Sequence, residues 1–215
     1  MSRPAPLAVV FDMDGVLIDS GAHHRDAWVA LLSEIGVAPR NGFWRLTIGR
    51  PAEEAVALLV PGVVGAEARR LADRKRAHYE QFCRRGMLPV HGVPAFVERL
   101  ARASVPLAVA TSAVRHDLER VLTALGLRGH FPVVVTADDV RWGKPHPDVY
   151  LRAAAGLDVD PAACLVFEDS VVGVQAARTA DMRVVGVTTA HEASELVAAG
   201  AERAIADFEG LSWPV

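Results

Sequence analysis

The residues predict an α/β protein: a Rossmann-like parallel sheet core with an inserted all-α helical block. Three observations lead there. Short Val-rich apolar runs recur and stop at polar turn residues, as at Leu7–Phe11, Val105–Ala110 and Cys164–Phe167. Runs of that kind suit strands buried on both faces. Amphipathic stretches alternate with them, and alternating strand and helix units imply right-handed crossovers and a parallel sheet. Between about residue 20 and residue 87 the strand-like runs vanish and helical spacing takes over.

The first strand is Leu7–Phe11, ended by Asp12 and the Asp14-Gly15 turn. The insert opens with a helix whose Trp28, Leu31, Leu32 and Ile35 fall at i, i+3, i+4 and i+7, and Gly36 is placed to end it. Pro51 suits the first turn of a second helix carrying Ala55, Leu58 and Leu59, and Pro61-Gly62 breaks it. A longer helix runs from about Ala66 to Arg84, with Ala68, Leu71, Ala72, Tyr79 and Phe82 on one face. Beyond Pro89 the alternation resumes. Helices are predicted near Val93–Ala101, Val114–Leu125 and Asp148–Ala155, from Ser170, and at Ala193–Ala199. Strands are predicted at Val105–Ala110, Val133–Val135, Cys164–Phe167, Val184–Val187 and Ala204–Ala206. The expected division is residues 1–19 with 88–215 as the α/β core and residues 20–87 as the helical insert.

The 215 residues, 51% of them hydrophobic, suffice for a sizeable core. A net charge of −3 with no basic block argues against nucleic acid as a partner. Cys83 and Cys164 form no Cys-x-x-Cys, so they read as packed thiols in a reducing compartment. No apolar stretch approaches a membrane span and the start lacks a signal pattern, so a cytoplasmic location without membrane attachment is expected. A monomer or weak homo-oligomer is expected. Gly-x-Gly and Walker A patterns are absent.

The chemistry-bearing residues all come just after strands: Asp12 and Asp14, Thr111 and Ser112, Lys144, and Glu168 and Asp169. They therefore share the sheet edge where open parallel sheets place ligands. Asp12 and Asp14 project to the same side if the extended backbone continues. Like charges about 4 Å apart repel by roughly 1 kcal/mol in water and about 4 at a protein-like dielectric, so a divalent cation with oxygen ligands is the expected counterweight. Each residue alone has a plainer reading. Asp-Gly marks turns, Ser112 suits a helix N-cap, Lys144 suits an exposed loop, and Glu168-Asp169-Ser170 suits a first helical turn. An EF-hand loop starting at Asp12 fails, because its sixth and twelfth positions are Leu17 and His23. Together the residues supply what phosphoryl transfer to a carboxylate requires: a nucleophile, a proton-transferring group, a cation and donors for phosphate oxygens.

Phe11-Asp12-Met13-Asp14-Gly15-Val16, the Thr111 turn, Gly143-Lys144-Pro145 and Glu168-Asp169-Ser170 together resemble, in order, the motifs of the haloacid dehalogenase (HAD) superfamily. The resemblance spans essentially the whole chain, and the insert resembles the cap of the β-phosphoglucomutase-like phosphatase branch. It implies a HAD-like core and a helical cap domain. It implies Asp12 as nucleophile and Asp14 as the acid and base. Thr111, with Ser112 beside it, and Lys144 would hold phosphate. Asp12, Asp169, the Asp14 carbonyl and Glu168 would stand around Mg²⁺. Asp14 also argues against dehalogenation, since a halide leaving group needs no proton.

His24 and Lys75 resemble cap positions that face the active site in that branch. A lysine on the stripe of Leu71 and Tyr79 could equally pack its stem and reach water with its amine. The mutase arginine, three positions after the cap-loop glycine, is Ala52 here when counted from Gly49; Arg50 lies nearby at another offset. The mutase lysine after the second motif is replaced by Val114 and then Arg115; with His24 and Lys75, Arg50 and Arg115 are the expected substrate-side residues. The expected function is Mg²⁺-dependent hydrolysis of a small phosphorylated metabolite, a sugar or polyol monophosphate. The alternatives are β-phosphoglucomutase activity and a receiver-like phosphoacceptor without turnover.

Overall fold

The strands are β1 (Ala8–Phe11), β2 (Leu107–Ala110), β3 (Val133–Val135), β4 (Cys164–Glu168), β5 (Arg183–Val187) and β6 (Arg203–Ile205). All pair in parallel in one sheet of order β3-β2-β1-β4-β5-β6. The computed structural model describes residues 6–84 and 86–215. Residues 1–5 of the expected core and Arg85 of the expected insert lie outside the described residues.

Alternation along β1 explains the layers. Val9 and Phe11 point into one apolar cluster, and Ala8 and Val10 into another on the opposite face. Phe11 sits at the centre of an aromatic group, with Phe96, Phe131, Phe167 and Phe208 at centroid distances of 5.3–6.3 Å. The helices α4 (Val93–Arg102) and α5 (Arg115–Ala124) pack on that face, and α6 (Asp148–Leu157), α7 (Val171–Thr179) and α8 (Ala193–Ala199) pack on the other. From β1 the chain runs out to β2 and β3; from β4 it runs the other way, to β5 and β6. The crevice at the C-terminal ends of β1 and β4 is therefore the topological switch point.

The remaining helices, α1 (Gly21–Glu34), α2 (Ala52–Leu59) and α3 (Gly65–Cys83), with a 3₁₀ turn at Phe43–Leu46, bury Trp28, Leu31, Leu32, Ala55, Val56, Leu71 and Ala72 in a cluster of their own. The chain leaves for them and returns side by side: Asp19 N donates to Leu88 O at 2.9 Å, and Val90 N to Leu17 O at 3.1 Å. No helix among the described residues is long and apolar enough to cross a membrane. Cys83 and Cys164 are both free and buried.

Several local expectations are corrected. Leu7 precedes the strand and is 65% exposed. β2 begins at Leu107; Pro106 just before it has no N–H to give and joins the ladder only through its carbonyl, which accepts from Val9 N at 3.0 Å. Pro51 caps α2 from outside its first turn, and that helix buries Ala55 and Val56 while Leu58 stays 49% exposed. A two-turn helix wedged against α3 turns a narrower face inward than its apolar residues suggest.

Candidate active site

The cleft between the sheet edge and helices α1–α3 has a volume of about 560 Å³ and is lined by Asp12, Asp14, Thr111, Ser112, Lys144 and Asp169 from the strand ends. His24, Arg50 and Lys75 line it from the helical side. The expected residues are thus brought together from positions far apart in the chain, with two exceptions. Glu168 lies beneath the cleft, fully buried. Arg115 is absent from the lining; its guanidinium pairs with Asp139 and its backbone N–H with Asp138. The expectation that Arg115 meets substrate is corrected accordingly: it braces the 3₁₀ turn Ala137–Asp139.

The floor is a buried ionic group. Lys144 Nζ donates to Asp12 Oδ1 at 2.7 Å and lies 3.3 Å from Glu168 Oε2. Glu168 Oε2 also accepts from the Tyr150 hydroxyl at 3.1 Å, and Oε1 accepts from the Ser170 hydroxyl. Ser170 is in turn the N-cap of α7, accepting from Gly173 N at 3.0 Å. Gly173 makes this possible, since a Cβ there would lie 1.7 Å from Glu168 Oε1. Lys144 is therefore a buried ammonium, in place of the exposed loop lysine of the plainer reading. Burial alone would lower its pKa, but Asp12 and Glu168 outweigh that and hold it well above the usual range.

Asp12, Glu168 and Asp169 can each present a carboxylate oxygen within 4.8 Å of the others. Burial and the Glu168 charge push Asp12 up to about 8, and burial with Glu168 and Asp12 pushes Asp169 well above the carboxylate range. Among the described residues Lys144 is the cation paired with this trio, and it reaches Asp12 and Glu168. Three buried carboxylates against one ammonium, all hard oxygen donors, fit a Mg²⁺-sized dication.

Asp14 faces the helices. Its Oδ1 accepts from Ser20 Oγ at 2.6 Å and from Tyr79 Oη at 3.3 Å, and lies 2.9 Å from His24 Nε2. Lys75 Nζ stands 2.6 Å from His24 Nδ1. An ammonium can only donate, so Nδ1 is the acceptor and Nε2 carries the proton offered to Asp14. Burial and the Lys75 charge lower the His24 pKa, as a neutral ring requires. Burial lowers Lys75 to about 8, against the pull of Asp14. Burial pushes Asp14 up, but His24 and the Ser20 hydrogen bond outweigh it and hold the carboxyl well below its ordinary value. Lys75 is 6% exposed, with Nζ 5.2 Å from the Trp28 ring centroid and 5.0 Å from that of Tyr79, and it borders the cleft.

Thr111 Oγ1 accepts from Ala113 N at 3.1 Å, shaping the turn. Ser112 does not cap α5, whose N-cap is Val114; its hydroxyl donates to Gly49 O at 2.9 Å and ties the sheet edge to the loop before α2. Gly15, at φ +74°, lets the loop after β1 pass Asp169, because a Cβ would fall 1.8 Å from Asp169 Oδ2. Four residues near this chemistry were not singled out for it by sequence: Ser20, Tyr79, Tyr150 and Thr189. Tyr79 reads as a packing residue on its helix's apolar stripe. Thr189, two residues past β5, could have been found by the strand-end rule that found the rest.

The fold and this acidic cleft define a hydrolase-type α/β enzyme with its acidic centre on the first strand. A family model of haloacid dehalogenase-like hydrolases matches residues 6–181, and the chain belongs to that family. It is 37% identical over 205 residues to validoxylamine A 7'-phosphate phosphatase of Streptomyces hygroscopicus subsp. limoneus, covering 95% of each chain. It is 30% identical to the β-phosphoglucomutase of Bacillus subtilis, over 84% of this chain and 82% of that one. The crystal structure of CbbY from Rhodobacter sphaeroides in complex with phosphate superposes with a TM-score of 0.83 at 26% identity, covering 96% of each chain.

Proposed function

We propose that the protein is a Mg²⁺-dependent phosphatase that hydrolyses a small sugar or polyol phosphate monoester through a phospho-Asp12 intermediate, with residues 20–87 acting as the cap. One observation carries the reading: side chains from four strand ends, namely Asp12 and Asp14, Thr111, Lys144 and Asp169, line one cleft. A phosphatase of a phosphorylated natural product among the relatives supports the substrate class.

Lys144 holds Asp12 Oδ1, and the other carboxylate oxygen attacks phosphorus while the ester P–O bond breaks. Asp14 protonates the departing alkoxide oxygen, then takes a proton from the water that attacks the phospho-aspartate; inorganic phosphate leaves and Asp12 is regenerated. Asp14 is otherwise held ionised, and the Lys75–His24 pair is the route that delivers the proton it gives to the leaving oxygen; the proton later taken from water restores the pair. Thr111 and Lys144 bind phosphate oxygens. Asp12, Asp169, the Asp14 carbonyl and, directly or through water, Glu168 would hold Mg²⁺, which when bound supplies positive charge to the phosphate oxygens. The α1–α3 side excludes bulk water and chooses the leaving group.

The test is phosphate release from a panel of sugar and polyol monophosphates with Mg²⁺, by the unaltered protein and by Asp12→Asn. Turnover should fall by on the order of 10⁴-fold in the variant. Near-normal turnover would remove Asp12 from its role. A stable phosphoprotein without turnover would favour the receiver-like reading. A mutase reading draws on Arg50, which lines the cleft with no ion-pair partner among the described residues. Supplying β-glucose 1-phosphate with a trace of the 1,6-bisphosphate separates the two: inorganic phosphate supports hydrolysis, glucose 6-phosphate the mutase.

A further inference from the structure

The turn after β5 touches both loops on which the proposed chemistry depends. Thr189 Oγ1 donates to the Gly15 carbonyl at 2.6 Å and lies 3.3 Å from Asp169 Oδ2. His191 Nδ1 stands 3.1 Å from the Asp169 carbonyl, and Thr188 N anchors the turn on Ile205 O at 2.9 Å. The crowding is extreme: a Cβ on Gly15 would fall 1.8 Å from Asp169 Oδ2 and 2.8 Å from Thr189 Oγ1. Asp169 has no ion pair among the described residues, and the Thr189 hydroxyl is the side-chain group that meets its carboxylate. We infer that Thr189 is a positioning residue: its hydroxyl fixes the spacing between the nucleophile loop at Gly15 and the Asp169 carboxylate.

A hydroxyl has one proton to give, and the 2.6 Å contact commits it to Gly15. The same oxygen then forms the wall against which Asp169 Oδ2 rests. Groups that orient a metal-binding carboxylate in this way typically change metal affinity 10- to 100-fold when removed. Loss of the hydroxyl frees the Gly15 loop from the turn that also carries the wall beside Asp169, so the approach of Asp12 to Asp169 is no longer set.

The inference rests on the reading of Asp12 and Asp169 as a Mg²⁺ pair, and the experiment separates the two. Mg²⁺ binding is measured by titration calorimetry on the unaltered protein, Thr189→Val and Thr189→Ser, alongside kcat and KM for a phosphate ester at saturating Mg²⁺. Val keeps the branched shape without the hydroxyl, and Ser keeps the hydroxyl. We expect Thr189→Val to bind Mg²⁺ about 10-fold more weakly or worse and to lose kcat with KM nearly unchanged, and Thr189→Ser to return both to within about threefold. Equal Mg²⁺ affinity in the unaltered protein and Thr189→Val overturns this inference alone. An equal loss in Thr189→Val and Thr189→Ser also overturns it, since the hydroxyl then does nothing. No Mg²⁺ uptake by the unaltered protein overturns the metal reading and this inference with it.

Discussion

Asp14 is wired on one side. Ser20, His24 and Tyr79 all meet Oδ1, so on the proposed mechanism Oδ2 is the oxygen that would meet the leaving group. Asp14→Asn should lower kcat by about 10²- to 10⁴-fold, the usual worth of a general acid and base, with the fold kept; steady-state kinetics and a melting curve check both halves. Lys75 adds a pH signature. Its pKa is lowered to about 8, so its positive charge, which stands beside His24 and Asp14, is lost as pH rises through that value. kcat/KM should decline above about pH 8, and Lys75→Arg should move that limb upward. Gly15→Ala tests the closest approach in the site. The substitution forces a side chain onto φ +74° and into the Asp169 carboxylate, so we expect a loss of about 1–3 kcal/mol in chemical unfolding together with loss of turnover.

At the scale of elements, α1–α3 hold together through a core separate from the sheet's. Leu31, fully buried in that cluster, should cost about 2–5 kcal/mol as Leu31→Ala, measured by urea unfolding, with the loss expressed first in the helices. The sheet was readable because its strands are buried on both faces, so Ala8–Phe11 and Cys164–Phe167 stand out as unbroken apolar runs. The strand-end residues were readable for a related reason: a polar group closing such a run has few structural excuses. What escaped are contacts made across the fold. Tyr79 sits 65 residues from Asp14, and Thr189 sits 174 from Gly15, so no local pattern joins them. Ser112 looked like a cap because serine before a helix usually is one, but its partner is Gly49, 63 residues earlier. Arg115 stood close to where a mutase keeps its lysine, but Asp139, 24 residues on, is folded against it. Leu58 was misplaced because α2 has eight residues, too few for a period to declare its face.

For the whole molecule, the acidic floor couples folding to metal and pH. Asp12 is raised from 3.8 to about 8 in the folded chain without a cation. Between those values the native state binds more protons than the unfolded one, so the stability of the metal-free protein falls as pH rises from about 4 to about 8. Mg²⁺ competes with those protons. Its stabilising effect should therefore be small near pH 5 and larger near pH 8, seen as a growing upward shift in Tm with added Mg²⁺ and its loss with a chelator. A shift that is the same at both pH values would contradict the assignment.

The chain enters and leaves its first three helices through adjacent, mutually hydrogen-bonded segments, with Asp19 N on Leu88 O and Val90 N on Leu17 O. Such a junction makes the intervening stretch an exchangeable cassette: the two stubs already lie together, and closing them strains nothing beneath. A chimera carrying a foreign helical lid between residues 19 and 88 should keep the same phospho-acceptor and acquire a new preference among esters. An unchanged ester preference in such a chimera, read as phosphate release across a panel of esters, would show that selectivity is not written in residues 20–87.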